Sequence, residues 1–517
     1  MPSTPRLNPR LRAVARGVGA ATTGLIVLGL TGVVVGAATL SPPPEVTTVP
    51  PPEIDVGAGP LSLVCSGPPR LATDDGADID YDDEFGSGGV ELAAVAEAVV
   101  LGRDGREAPA ATWSAIGADP IEVPATGDVR YLSQSDPSGP AVLRAEPDGT
   151  ATALAAGASA ARLDSGDLRG LTASECQAPS SSIWLVGGAT ELGSSARLTL
   201  TNPGDTPVAA SVDIWGAAGQ VSAGNPILVG PGAAESILLE SLSLEPRMAV
   251  RVTADGGRLT AEIQDSALNG VVPAGTDVVT ASADPGPDLT IGPVPLPEAD
   301  PTAPEPSVVR LANPNESPTT ATVSLLGADG EEVLAGTEDM ILEAGSVVDV
   351  SLAGIPAGSW TVRVRADQPV TGAAMITRLG VAGELDPDQP VLDRAWVPAR
   401  TAVDHGMLTL PGLGSVVDEA GVALTNPLDE PQTVTLRTVN AAGRTGDPVE
   451  IDLEAGTSTG VTDRIDLADA VAVEVSGTAV LATAALTAQA ADGELLTMIP
   501  LTPDADEEQS VAVRLGP

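Results

Sequence analysis

The sequence contains no lysine, one histidine, one phenylalanine and two cysteines. The scarcity of imidazole and thiol excludes most constellations for general-base or nucleophilic catalysis. Two cysteines and one histidine also fall short of a four-ligand zinc set. Aromatic residues make up 2%, so any cores are small ones built from Ala, Val and Leu, while the hydrophobic share of 43% separates the chain from an acidic disordered tail. Basic residues are scarce too: 25 arginines face 70 acids, giving a net charge of -45 and a pI near 4.1. A surface of that sign repels phosphate, so no nucleic-acid partner is expected.

What charge there is has a position. Arg6, Arg10, Arg12 and Arg16 precede a stretch from Gly17 to Pro44 without a charge. At about 1.5 Å per residue, residues 17–40 are long enough for a helix spanning a bilayer core. The positive-inside rule keeps residues 1–16 in the cytoplasm and places the rest outside. The expected location is the cell membrane, single-pass, with the C-terminal bulk extracellular. Cleavage of the segment as a signal peptide, near Val35-Gly36-Ala37, would instead secrete the protein. Residues 41–60 are rich in proline and read as a semi-rigid stalk.

The remainder repeats itself. Leu198 to Pro203, Val309 to Pro314 and Val422 to Pro427 each run as a period-two strand into Asn-Pro, with Asn202, Asn313 and Asn426 spaced by 111 and 113 residues. Val212, Val323 and Leu436 follow in a second strand. Gly219, Gly330 and Gly443 close turns of hairpin type, and a later pair of strands reads as a last hairpin, from Val250, Val362 and Val473. About seven short strands per repeat predict an all-β chain of tandem immunoglobulin-like β-sandwich units after one N-terminal transmembrane helix. A propeller is disfavoured, since its blades repeat at about 40 to 50 residues.

The expected divisions are a divergent β domain at 61–180, sandwich repeats at 181–283, 307–392 and 393–512, and a linker or edge segment at 284–306, where eight prolines gather. Trp184 and Trp396 are expected to open the first and third repeats as packing residues. Cys65 and Cys176 bracket the divergent domain, and export permits a disulfide between them, two free buried thiols being the alternative.

Candidate chemistry is thin. Gly456-Thr-Ser458-Thr-Gly460 matches the nucleophile-elbow pattern. It aligns, however, with a strand of the preceding repeat, and the only possible base is His405. Asp78, Asp80 and Asp82 resemble the start of a calcium loop, but Asp83 and Gly89 stand where Gly and Glu are wanted. The expectation is no catalytic residue and no cofactor, with calcium at these aspartates as the one metal candidate. Trp184-Leu-Val-Gly-Gly188 and the following Asn-Pro turn, with the N-terminal span and the Cys-flanked first unit, resemble a family of large actinobacterial membrane-anchored extracellular proteins catalogued only as a domain of unknown function. The resemblance implies export to the envelope and carries over no catalytic residue. The expected function is a non-enzymatic, membrane-anchored β-sandwich protein of the bacterial envelope, its partner an envelope protein or glycan. The alternative is a carbohydrate-binding or carbohydrate-active protein.

Overall fold

The three Asn-Pro turns are identical pieces of engineering in the computed structural model, which describes residues 53–55, 58–71, 91–221, 224–298, 305–382, 386–505 and 510–512. Asn202, Asn313 and Asn426 are fully buried. Each Nδ2 donates to the carbonyl four residues on (Thr206, Ser317, Glu430) at 2.8–3.0 Å. Each also reaches two consecutive carbonyls on the approach to a distant strand: Val229 and Gly230, Leu342 and Glu343, Leu453 and Glu454. Oδ1 accepts the backbone N–H two residues on. A turn asparagine thus satisfies backbone groups that burial would otherwise leave unpaired, and it staples the strand end to the opposite side of its module.

The described residues are all-β apart from short 3-10 turns. Strands within residues 55–510, one compact body, fall into four modules running from Leu61 to Glu175, Ser182 to Ser282, Gly286 to Arg400 and Val403 to Pro503. In the first, a sheet of Leu61–Cys65, Ala141–Ala145, Ala111–Ala115 and Ile121–Glu122 accompanies one built on Ala93–Leu101, Leu154–Leu163 and Gly170–Glu175. The others repeat the two-sheet plan, with burial alternating along strands such as Val208–Gly216. Glu53–Asp55 and Ser510–Ala512 form a two-stranded sheet of their own. The turn glycines behave as their positions demand: Gly219 and Gly330 pair with Gly216 and Gly327 across tight turns at positive φ.

Three expectations need correction. The supposed last hairpin crosses between sheets instead of folding back. In the third module one strand, Gly358–Ala382, pairs through Val364 with Val323 in one sheet and through Gly372 with Leu311 in the other. Ala470–Ala490 does the same in the fourth. Short period-two runs look alike whether their partner is the neighbouring run or a strand of the other sheet. Second, the Pro-rich segment within 284–306 contains a strand: Gly286–Leu296 pairs with the start of the long strand and opens the third module. Its ladder shifts register at Pro287 and Pro293, which lack an N–H to contribute, while Pro295 stays in register opposite Ser359. Third, Trp396 lies in Pro390–Arg400, which pairs with the end of Gly358–Ala382, so it closes the third module instead of opening the fourth.

The modules are not strung out. Each carries an inner strand at or near its C-terminal end, namely Gly170–Glu175, Val272–Val279, Pro390–Arg400 and Gly493–Pro500. These four strands pack in a closed cycle, first on second, second on third, third on fourth and fourth on first. The arrangement is propeller-like, with a two-sheet module as each blade; the repeat length that spoke against a propeller reflects the thickness of the blade. Core clusters ignore the module boundaries accordingly. Trp396 of the third module sits in the core of the second, Leu496 and Met498 of the fourth in that of the third, and Leu171 and Ala173 of the first in that of the fourth. Gly170 shows how close the approach is: a Cβ there would lie 2.6 Å from the Thr276 carbonyl oxygen.

The segment 17–40 and most of the proline-rich stretch 41–60 lie outside the described residues; the described part of that stretch includes the strand Glu53–Asp55, and among the described residues no helix is long and apolar enough to cross a membrane.

Candidate functional site

The inner strands are covered on both faces, so their polar side chains must find partners among themselves. At the centre, the Thr497 hydroxyl donates to Asp277 Oδ1 at 3.0 Å and accepts the Ala173 N–H at 3.0 Å. The Trp396 N–H donates to Asp277 Oδ2 at 2.6 Å. Two side chains therefore join all four modules. Nearby, Asp393 accepts the Leu496 N–H at 2.7 Å. Burial drives the Asp277 carboxyl well above the usual range, against the pull of the Trp396 and Val278 amides and the Thr497 hydroxyl, and the neighbouring Asp393 adds to the rise. Burial likewise lifts Asp393 to about 7, opposed by backbone donors and the charge of Arg169.

Arginine surrounds this junction at the seams. Arg394 donates to the Ala274 carbonyl at 2.8 Å and meets Asp265, which also accepts the Trp396 indole N–H at 2.8 Å. Arg310 forks onto Asp349 at 2.8 and 2.9 Å, donates to the Gly188 carbonyl, and lies 5.0 Å over the Trp396 ring. Arg169 joins Asp492 and the Leu392 carbonyl, and Arg400 pairs with Glu175. The planar guanidinium, with its fixed fork of donors, can serve a carboxylate and a carbonyl together, which suits it to a seam.

The residues singled out in the sequence do not converge. His405 is held between Asp504, 2.9 Å from Nδ1, and Glu474, 3.0 Å from Nε2. Arg103 and Arg437 pair with the same two carboxylates. Those contacts raise the imidazole to about 9, so at neutral pH it is a cation bridging two anions and has no lone pair for a base. Ser458 lies buried in the strand Thr457–Gly460, bonded to Thr425 at 3.1 Å and paired with Ala423–Asn426; no elbow is present at that position. Trp184 stacks near Trp215, centroids 4.8 Å apart, beneath Arg251. Cys65 and Cys176 form a disulfide. Asp78, Asp80 and Asp82 lie outside the described residues, and among the described ones no group of three His, Cys, Asp or Glu side chains is placed to hold a metal.

Sequence reasoning missed Asp277, Asp393, Arg394 and Thr497. A signal existed: charged residues inside otherwise apolar strands, as in Thr276-Asp277-Val278-Val279, require buried partners.

No curated protein matches the chain. Residues 132–464 match the model of a family of unknown function, DUF5719, spanning parts of all four modules. The chain therefore belongs to the DUF5719 family.

Proposed function

We propose that the protein is a non-enzymatic, membrane-anchored component of the bacterial envelope, in which four immunoglobulin-like sandwich modules form one rigid body that presents its loops to an envelope partner. Residues 17–40 are its anchor and the modules stand outside the membrane. The observation that carries this reading is the use made of the reactive side chains. His405, Ser458 and both cysteines are engaged in internal contacts, and the arginines around the junction tie module to module. A chain that commits its chemistry to seams has the character of a scaffold, and function on a scaffold sits in its loops.

Two measurements test it. Protease added to intact cells should degrade the modules while a tag on residues 1–16 stays protected and membrane-bound after a carbonate wash. In-cell crosslinking from loop positions should capture the same partner repeatedly, with and without chelator. A protected module region, or crosslinks without a recurring partner, would contradict the proposal.

A further inference from the structure

The inner strands run in the same direction, because matching positions meet in order along them. Arg169 bonds Asp492 and Ala173 bonds Thr497; Gly170 lies against Thr276 and Gln177 bonds the Ala281 amide; Gly275 lies against Arg394 and Asp277 bonds the Trp396 amide. The turns leading into these strands therefore gather at one end of the body. There the Val381 N–H donates to the Asp492 carbonyl at 2.8 Å, and Leu163, Leu168 and Leu268 pack together. At the other end Gly59 and Ala505 line one cleft beside Asn202 and Pro203, so the chain enters and leaves the modules there. On the reading of residues 17–40 as the anchor, on which this inference rests, the gathered turns face away from the membrane.

This end is divided by chemistry. The turns of the first and fourth modules are polar, Asp164-Ser-Gly-Asp167 and Ala491-Asp-Gly493, and Asp418, which accepts the Gln489 N–H, stands exposed beside them with Glu419. The arginines on that side are already matched: Arg162 pairs with Asp164 and Asp418, and Arg169 with Asp492. The second and third modules instead leave Leu192 88%, Leu379 66%, Val271 61% and Val381 61% exposed. Leu192 precedes Gly193, whose carbonyl accepts the Leu268 N–H at 2.7 Å, so it lies beside the turn that carries Val271. Leu379 pairs with Leu392, which packs on Ala267 and Ala274, so the two apolar pairs belong to adjoining elements. The turns themselves do not call for these side chains, since Asn269-Gly270 supplies one turn and the corresponding turns of the other two modules are polar. Aliphatic groups gathered at an exposed end mark a contact surface.

Charge decides what covers it. A lipid surface would bring phosphates against the carboxylates of the first and fourth modules, and a second copy would set acids on acids. A segment with both aliphatic and basic side chains suits the two halves together. We propose that this membrane-distal end binds a basic, aliphatic-rich segment of an envelope protein. Its aliphatic groups cover Leu192, Val271, Leu379 and Val381, and its basic groups meet the carboxylates of the first and fourth modules.

The test uses the full chain in phosphatidylcholine nanodiscs and three dye-labelled octapeptides, (Leu-Arg)4, (Ser-Arg)4 and (Leu-Glu)4, read by fluorescence anisotropy against empty nanodiscs. The (Leu-Arg)4 peptide should bind, (Ser-Arg)4 should bind roughly tenfold more weakly, and (Leu-Glu)4 should not bind. The double variant Val271→Ser/Val381→Ser should weaken (Leu-Arg)4 roughly tenfold, since it removes apolar contact area. Leu244→Ser, an exposed leucine elsewhere in the second module, should leave binding unchanged, and melting curves should match for all variants. Binding of (Leu-Arg)4 that the double variant leaves intact, or equal binding of (Ser-Arg)4, overturns the assignment. So does flotation of the loaded nanodiscs with phosphatidylglycerol vesicles, or self-association by light scattering, if the double variant abolishes it, because the occupant is then lipid or a second copy. If the peptides fail while crosslinks from other loops still capture a recurring partner on intact cells, the wider proposal stands and this assignment alone falls.

Discussion

Thr497 and Asp277 come from the fourth and second modules, 220 residues apart in sequence, and their side chains meet in a 3.0 Å hydrogen bond at the buried centre of the chain. With the Ala173 and Trp396 amides bonded to the same pair, one short chain of hydrogen bonds passes through every module. Asp277→Ala leaves the Trp396 N–H and the Thr497 hydroxyl without acceptors in a site water does not reach. The expected loss is about 2–5 kcal/mol in urea unfolding, whereas Asp277→Asn, which keeps an acceptor oxygen, should lose less.

The junction also sets a pH dependence. Asp393 is raised in the fold, so its protonated form favours the folded state, and that contribution fades as pH climbs from about 4 to about 7. His405 is raised to about 9, so its contribution is complete below its unfolded value near 6.5 and is lost between there and about 9. Glu474 and Glu331 are held below the ordinary range and oppose this trend only on the acid side. The melting temperature should fall from about pH 5 to pH 9. Asp393→Asn should flatten the lower part of that fall and His405→Gln the upper part.

The asparagine clips should be equivalent. Alanine at Asn202, Asn313 or Asn426 strands buried carbonyls in the same geometry, and each replacement should cost about 2–4 kcal/mol. Aspartate should do no better, because it supplies an acceptor where donors are required. Chemical denaturation of the three single variants checks whether the costs agree.

Removal of the Cys65–Cys176 bridge, which closes a span of 111 residues, should lower stability by up to about 4.7 kcal/mol in the loop-entropy model. Paired Cys→Ser replacement, followed by thermal melting, measures it.

Much of this architecture could be read in advance from local pattern. The all-β class, the strands around the Asn-Pro turns and the glycine turns all follow from period-two alternation and turn residues close in sequence. The pairing of Cys65 with Cys176 was open to expectation because only two cysteines exist. What escaped was non-local. Nothing near Val362 tells that its strand will cross from one sheet to the other, and nothing near Trp396 tells that its ring belongs to another module's core. The prolines of Gly286–Leu296 masked a strand because the ladder accommodates Pro287 and Pro293 at register shifts. For the candidate sites the contrast is sharper. His405 and Ser458 attracted notice as reactive residue types, while Asp277, whose importance comes from burial, is marked in the sequence only as a charge inside an apolar run.

The central claim is that the four modules act as one closed body. Hydrogen–deuterium exchange of the native chain, followed by mass spectrometry of peptides covering the inner strands Gly170–Glu175, Val272–Val279, Pro390–Arg400 and Gly493–Pro500, tests it most directly. The closed cycle predicts that all four strands share the slowest exchange and that Asp277→Ala accelerates all of them together. Inner strands that exchange at separate rates, with the effect of Asp277→Ala confined to Val272–Val279, would contradict it.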